Sequence, residues 1–326
     1  MKALITGAGG FIGKQLLTTW VESGHTARAL FLPGEDAGVA EALGVEVVRG
    51  DLTRPETLHG IADDMDVVFH LAARVTDWGS RKAFERIMVD GTRHLLEASR
   101  GRIGRFVYFS SIAALGFGRD LVGLDEGSKR VYCGIPYCDT KIDAEDLVHR
   151  FCTDNGLAYT IIRPANVIGP ESVWVSDIID AFRRGPLPLV GGGDHPGAFI
   201  DVANLADGAV IAAQADAAVN RTYHFRDDYS LTWKGYLQTL GGWMGKRPVG
   251  NIPFWLAWRL GAISERLLTP LNIRPPMTRL AASVMGKNND VANHRAKTEL
   301  GWQSRVDEAA CMDQIKQWVF DSYLPS

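Results

Sequence analysis

Through the first half of the chain, short β-branched and aromatic runs alternate with longer stretches of helical periodicity. This is the pattern of a parallel sheet covered by helices on both faces. Six runs predict strands: Lys2–Ile5, Ala27–Phe31, Val45–Val48, Val67–His70, Arg105–Phe109 and Tyr159–Ile162. The stretches between them predict helices, among them Phe11–Ser23, Arg81–Ser99 and a long one beginning near Pro136. Beyond Pro170 the rhythm fades into text rich in Gly, Pro and Trp, with Gly191-Gly192-Gly193 marking a loop and Tyr223–Phe225 a candidate strand. The expected fold is α/β, a doubly wound parallel sheet with a smaller C-terminal α/β unit. Residues 1–170, rejoined by 197–222, are expected to form the sheet domain. Residues 171–196 and 223–326 form the smaller unit, packed where ligands of open α/β sheets lie, at the carboxyl ends of the strands.

Composition narrows the function classes. The 326 residues carry 35 basic and 38 acidic side chains, a formal net charge of −3, so no surface for nucleic acid is written into the balance. The first strand-like run begins at Lys2, which leaves no room for a secretory signal, and a cytoplasmic location is expected. Four cysteines, Cys133, Cys138, Cys152 and Cys311, lack the spacing of a disulfide framework or a zinc site and are expected to be reduced thiols, with no metal bound. The apolar stretch Ile252–Leu271 is broken by Arg259, Glu265 and Arg266, too interrupted for a membrane span. Ile252–Met285 sets Arg259, Arg266, Arg274 and Arg279 against Glu265 alone, however, so one face is a candidate for peripheral contact with an anionic bilayer.

The chemistry-bearing segments sit at the ends of the expected strands. Thr6-Gly7-Ala8-Gly9-Gly10-Phe11-Ile12-Gly13 follows the first strand and opens a helix. Glycines at 7, 10 and 13 permit a tight turn, approach of a pyrophosphate to the backbone, and close packing of helix on strand. Gly50-Asp51-Leu52 ends the third strand, where a carboxylate can accept from an adenine amino group, although Asp after a strand is also an ordinary turn residue. His70-Leu71-Ala72-Ala73 ends the fourth with small residues that let backbone approach a cofactor. Ser110-Ser111 closes the fifth, and Tyr137-Cys138-Asp139-Thr140-Lys141 opens a helix further on. Tyr137 and Lys141, four residues apart, share one helix face. A neighbouring ammonium favours the phenolate and is expected to lower the phenol pKa, while the Ser111 hydroxyl can fix a substrate oxygen for proton transfer.

Together these segments resemble the extended short-chain dehydrogenases/reductases, the NAD-dependent epimerase/dehydratase superfamily, from Met1 to about Gly301. The resemblance rests on TGAGGFIG (6–13), GDL (50–52), HLAA (70–73), VYFSSIAALG (107–116), YCDTK (137–141) and IIRPANVIGP (161–170). It implies a Rossmann-type sheet, an NAD(P)-dependent oxidoreductase activity, and catalysis by Ser111, Tyr137 and Lys141, with Lys141 also holding the nicotinamide ribose. The cofactor would lie along Gly7, Gly10, Phe11, Ile12, Gly13, Phe31, Asp51, Leu52, Leu71, Ala72, Ala73, Ser110, Tyr137 and Lys141. Pro164, Ala165, Asn166 and Val167 resemble the segment beside the nicotinamide carboxamide. The helices near 81–99 and 136–153 resemble a dimer-forming pair and imply a homodimer.

Two departures matter. Met88 stands where the family usually has Asn. At the end of the second strand NAD-preferring members tend to carry Asp at the position of Phe31, and NADP-preferring ones Arg at that of Leu32; this chain has neither. An incompletely bonded ribose diol costs less than an unpaired phosphate dianion, so NAD(H) is favoured, with NADP(H) open if Arg28 or Arg49 reaches the site.

Among subfamilies, SSIAALG, the run 74–84 and the stretch 260–302 resemble the 3β-hydroxysteroid dehydrogenases and the related bacterial 3-oxoalkanoate reductases. The implied substrate is a steroid-like or long-chain secondary alcohol or ketone, lined by Trp78, Ser111, Asn166 and Trp174, with Phe254, Trp255 and Trp258 as further apolar wall. Gly197-Ala198 stands where nucleotide-sugar members place an Arg-Asp pair. A nucleotide-sugar epimerase or dehydratase of the same fold is the alternative, and a non-catalytic cofactor sensor a second one.

Overall fold

A computed structural model describes residues 1–325. Its strands are β1 (Lys2–Thr6), β2 (Thr26–Phe31), β3 (Glu46–Arg49), β4 (Val67–His70), β5 (Arg105–Phe109), β6 (Ala158–Pro164), β7 (Asn166–Ile168), β8 (Leu189–Val190), β9 (Phe199–Asp201), β10 (Arg221–Phe225) and β11 (Asn251–Ile252). Its helices are α1 (Phe11–Glu22), α2 (Gly38–Ala42), α3 (Arg81–Glu85), α4 (Gly91–Ser99), α5 (Pro136–Asn155), α6 (Val173–Arg184), α7 (Val202–Gln214), α8 (Trp233–Trp243), α9 (Phe254–Leu268), α10 (Arg279–Gly286), α11 (His294–Leu300) and α12 (Glu308–Trp318).

Seven strands form one sheet in the order β10-β6-β5-β4-β1-β2-β3, and all the pairs are parallel. Its reversal of direction falls between β1 and β4, which puts the ligand crevice at the ends of those two strands. Side chains alternate between two cores, as the two-residue strand period requires. Ala3, Ile5, Val67, Phe69 and Val107 pack with Leu16, Leu17 and Trp20 of α1 and Leu205 and Ala209 of α7. Leu4, Val68, Phe106 and Tyr108 pack on the other face with Leu95 and Leu96 of α4 and Ala144, Leu147 and Val148 of α5. The expected doubly wound α/β fold is the observed one.

Two expected boundaries shift. Tyr223–Phe225 is the end of β10, hydrogen-bonded beside Ile162–Pro164 of β6, so a division at 222/223 cuts through a strand of the main sheet. Tyr223 and Phe225 are fully buried in the core beneath α7, which holds the strand there. The expected helix 81–99 is α3 and α4 joined by a wide π turn over Arg86–Asp90. A third core assembles the remaining elements: Ile178 and Phe182 of α6, Trp233, Tyr236 and Leu240 of α8, Val284 of α10 and Ile315 of α12 enclose Ile112, Leu115 and Phe117. That core abuts the carboxyl end of β5, so one wall of the crevice comes from each part of the chain.

Candidate active site

The glycine turn is held by close approach. Gly7 has φ +71°, and a Cβ there would lie 2.8 Å from the Ala72 nitrogen; a Cβ on Gly13 would collide with the Gly7 oxygen. Ala72 N–H in turn donates to Thr6 Oγ1 at 3.3 Å, so the end of β4 lies against the turn that follows β1. Gly10 caps α1 with extended backbone and no side-chain bond, and no acidic residue occupies the helix's first turn. The N-terminus of α1 thus presents its dipole and backbone donors with no acidic side chain in its own first turn, which suits a pyrophosphate. Leu71, Ala72 and Ala73 follow β4 at the same end of the sheet.

Not every expected cofactor residue has its side chain free. Phe31 is fully buried and stacks under the Arg49 guanidinium, 5.6 Å from its centroid, so it supports the crevice from beneath. Asp51 forms the turn that its position also allowed: Oδ1 accepts from the Thr53 N–H and hydroxyl, both at 2.8 Å. Partial burial opposes ionisation of Asp51, but the Thr53 bonds prevail and hold its pKa below the usual range. Leu52 is buried, and its carbonyl oxygen lies 2.7 Å from His94 Nδ1. The Ser110 hydroxyl turns inward to Glu145, whose carboxylate also receives Arg163 Nε at 2.8 Å and Nη2 at 2.6 Å. Burying that ion pair is tolerable because it is bidentate and fully bonded. Asn166 spends its amide on the Gly197 carbonyl at 2.6 Å, which ties β7 to the segment before β9. Arg28 and Arg49 are committed too. Arg28 donates to the Ile61 carbonyl at 2.9 Å and pairs with Glu46 at 2.9 Å, and Arg49 Nη1 donates to the Leu32 carbonyl at 3.1 Å and that of Glu35 at 2.5 Å.

Ser111, Tyr137 and Lys141 do come together. Ser111 caps the single turn Ile112–Leu115, its Oγ accepting from Ala113 N–H at 3.1 Å. Pro136 at the first turn of α5 fixes where the helix starts and so where Tyr137 points. Asp139, which sequence reading left without a role, anchors the incoming loop by accepting from the Cys133 and Gly134 N–H groups at 2.9 and 3.1 Å. Lys141 Nζ donates to the Phe109 carbonyl at 2.7 Å and lies 5.9 Å from the Tyr137 ring centroid. Met88, at the unusual position, fills the space beneath α5, its sulfur 3.7 Å from Thr140 Oγ1.

The electrostatics differ from expectation. Burial of its hydroxyl pushes the Tyr137 pKa up to about 12, and the adjacent Ser111 hydroxyl offsets this only in part. Burial lowers Lys141 to about 8, against the pull of Glu145. Lys141 directs its ammonium at a carbonyl rather than at the phenol oxygen, so the expected lowering of the phenol pKa is replaced by a rise. At neutral pH Tyr137 is protonated.

Tyr137 opens onto a cavity of about 400 Å³ lined by Trp78, Phe84, Ile135 and Pro136, with Asp77, Arg81, Glu265, Arg266 and Arg279 among its polar residues. Trp78 lines this cavity. Trp174 does not: it packs edge-on against Trp233 at 5.4 Å in the third core. Phe254, Trp255 and Trp258 line a different cavity, of about 410 Å³, with Gly116–Arg119 and Val131. The basic face of Ile252–Met285 is also reduced, because Arg274 pairs with Asp177 at 2.6 Å and Arg279 with Glu265 at 2.7 Å. No helix among the described residues is long and apolar enough to cross a membrane.

Comparison with known proteins gives the family. The model of the NAD dependent epimerase/dehydratase family matches residues 3–225. The chain is 32% identical to the 4-hydroxy-2-methyl-3-oxo-4-farnesyl-3,4-dihydroquinoline-1-oxide ketoreductase of Stigmatella aurantiaca, over 97% of this chain and 96% of that protein. It is 32% identical to the 2-alkyl-3-oxoalkanoate reductase of Stenotrophomonas maltophilia (strain K279a), over 97% of this chain and 98% of that protein. Among solved structures, the UDP-glucuronic acid 4-epimerase of Bacillus cereus in complex with UDP-glucuronic acid and NAD shares the fold with a TM-score of 0.78 at 20% identity, covering 99% of this chain and 100% of that one.

Proposed function

The chain belongs to the NAD-dependent epimerase/dehydratase family of extended short-chain dehydrogenases/reductases and is an oxidoreductase of that family; from this premise we propose that it reduces a ketone on a long-chain or steroid-like substrate, with Tyr137 giving the proton. The observation that carries this reading is that Tyr137, protonated at neutral pH and hydrogen-bonded to Ser111, is one of the residues lining a cavity walled by Trp78, Phe84, Ile135 and Pro136. A neutral phenol is suited to donate to a developing alkoxide rather than to take a proton from an alcohol. The names of the two relatives, a ketoreductase and a 3-oxoalkanoate reductase, support the same direction.

When bound, the nicotinamide supplies the hydride. The protein's own part is to hold the ketone oxygen between the Ser111 and Tyr137 hydroxyls, to pass the Tyr137 proton to that oxygen, and to keep the Lys141 ammonium close to the phenolate left behind. Lys141 would also hold the cofactor ribose, and Gly7, Gly10 and Gly13 with the N-terminus of α1 its pyrophosphate. Ala72, Asp51 through its second carboxylate oxygen, and the backbone of Pro164–Val167 complete the cofactor set. Residues 1–170 with 197–225 make up the cofactor domain, and 171–196 with the chain after 225 the substrate domain. Two copies would pair through α3, α4 and α5. The exposed side chains Trp255, Leu260, Ile263 and Leu267 of α9, flanked by Arg259 and Arg266, supply the surface for bilayer contact, which co-sedimentation with anionic vesicles tests. A turnover screen of apolar ketones, 3-keto acids and UDP-sugars, followed by nicotinamide absorbance, tests the activity. Turnover of sugar nucleotides alone transfers the chain to the epimerase reading.

A further inference from the structure

The carboxylate missing from the end of β2 reappears four residues later. Leu32-Pro33-Gly34-Glu35 is a tight turn with the Glu35 N–H bonded to the Leu32 carbonyl at 3.1 Å and Gly34 at φ +83°. Proline at its second position and a positive φ at the third define a type II turn, which the Pro33-Gly34 pair encodes. The turn brings Glu35 back over the strand it has just left. Its Oε2 accepts from the Leu32 N–H at 2.8 Å. Its Oε1 lies 2.5 Å from where a Cβ on Gly9 would stand, with the Phe31 ring 3.1 Å from the same point. A Cβ on Gly9 would displace this carboxylate from its place, so glycine at that position leaves it room.

We infer that Glu35 is the cofactor-specificity residue of this chain, its Oε1 accepting from the 2′- and 3′-hydroxyls of the adenosine ribose and repelling a 2′-phosphate. The inference rests on the cofactor site proposed above and adds a residue to it. Three features support it. The carboxylate sits between the glycine turn and the end of β2, where an acidic side chain meets the adenosine ribose in dinucleotide-binding sheets. Glu35 has no ion-pair partner among the described residues, so its charge is not neutralised and Oε1 keeps its accepting capacity. The nearby cation is engaged elsewhere, since Arg49 donates to the backbone carbonyls of Leu32 and Glu35 and stacks on Phe31, which clamps the turn instead of presenting a guanidinium to a phosphate.

Calorimetric titration of NAD⁺ and NADP⁺ into the unaltered protein and into Glu35→Gln tests this without recourse to activity. The amide is isosteric and can still accept from Leu32 N–H, so the turn is kept while the charge is removed. Losing a charge-assisted bond to the diol is expected to weaken NAD⁺ about tenfold and to strengthen NADP⁺, closing most of the gap between them. Glu35→Asp, too short to span to Gly9, should behave like Glu35→Gln. Unchanged affinities for both dinucleotides in Glu35→Gln would overturn the role of Glu35 while leaving the cofactor site standing. Binding of neither dinucleotide by the unaltered protein would overturn the site itself, and the role of Glu35 with it.

Discussion

Lys141 lies one helical turn beyond Tyr137, its Nζ 5.9 Å from the phenol ring centroid and bonded at 2.7 Å to the carbonyl of Phe109. The pairing on one face of α5 follows from the helix period alone. What the period does not supply is the third point: the end of β5 has to lie alongside, so that the Phe109 carbonyl receives the ammonium and the Ser111 hydroxyl, two residues on, donates to the phenol oxygen. The buried Glu145–Arg163 pair secures that alignment by joining α5 to β6, with the Ser110 hydroxyl bonded into it.

Tyr137→Phe should lower turnover by at least about a hundredfold, the usual scale of a lost proton donor, and leave dinucleotide affinity nearly intact. Lys141→Ala should impair both, because it removes the ammonium beside the phenol and a ribose contact. Steady-state rates paired with cofactor titration check this. Turnover in Tyr137→Phe equal to that of the unaltered enzyme would remove Tyr137 from the mechanism.

The pH dependence follows from Lys141. With its pKa lowered to about 8, the ammonium is charged below that pH and neutral above it. Ketone reduction measured as kcat should hold level up to about pH 8, then decline by up to about tenfold per unit as the charge that stabilises the phenolate is lost. Lys141→Arg stays charged and should shift the decline to higher pH, whatever its absolute rate. A profile in which both proteins fall at the same pH would assign the limb to another group.

The legible part of this protein was its strand-end chemistry. Glycine turn, Ser111, Tyr137 and Lys141 are specified by short local patterns, and the sheet aligns them because parallel strands all end on one side. What escaped depended on side chains meeting across the sequence. Phe31 read as a cofactor-lining residue without the usual carboxylate, because the nearby carboxylate comes from Glu35 through a Pro-Gly turn. Trp174 and Trp258 read as substrate wall because aromatic residues look the same in a core and in a pocket; only the packing against Trp233, and the second cavity beside Gly118, tells them apart. The strand Arg221–Phe225 was cut at 222/223 because its place depends on β6, far back in the chain.

His70 makes a prediction about acid stability. Thr92 gives its hydroxyl proton to the Met88 carbonyl at 2.7 Å, so at 2.8 Å from His70 Nε2 it acts as acceptor, and Nδ1 must accept from Thr6 at 2.8 Å. Burial, with Lys141 nearby, lowers the ring's pKa to about 3, so it is neutral at pH 7 and Nδ1 is free to accept. The unfolded chain takes up that proton near pH 6.5 and the folded one does not, so stability is lost as pH falls from 6.5 towards 3. At pH 5 the cost from this one residue is about 2 kcal/mol. Urea unfolding at pH 7 and pH 5 should show a difference smaller by about that amount in His70→Gln, and an unchanged difference would mean that the ring is already protonated in the fold.

Substrate class is decided by charge and area at the Tyr137 cavity. Five charged side chains line it, but Arg279 is paired with Glu265 at 2.7 Å, Arg81 with Glu85 at 2.6 Å and Asp143 at 2.7 Å, and Asp77 with Arg274 at 3.4 Å. Arg266 alone lines it without an ion-pair partner among the described residues, and it is exposed. One solvated cation is too little to hold the two charges of a buried diphosphate. Apolar lining offers more: at about 25 cal/mol per Å², a few hundred Å² of skeleton against Trp78, Phe84, Ile135 and Pro136 contributes on the order of 8 kcal/mol, the scale of micromolar binding before the cost of association is subtracted. Trp78→Ala should therefore raise KM for an apolar ketone several-fold more than it lowers kcat, since the ring binds ground and transition states alike. Arg266→Gln should weaken apolar ketones that carry a carboxylate and leave neutral ones unaffected. Tryptophan fluorescence read during titration with a long-chain ketone and with UDP-glucose separates the readings. Saturation by UDP-glucose at micromolar levels, with no response to the ketone, would give the cavity to a sugar nucleotide after all.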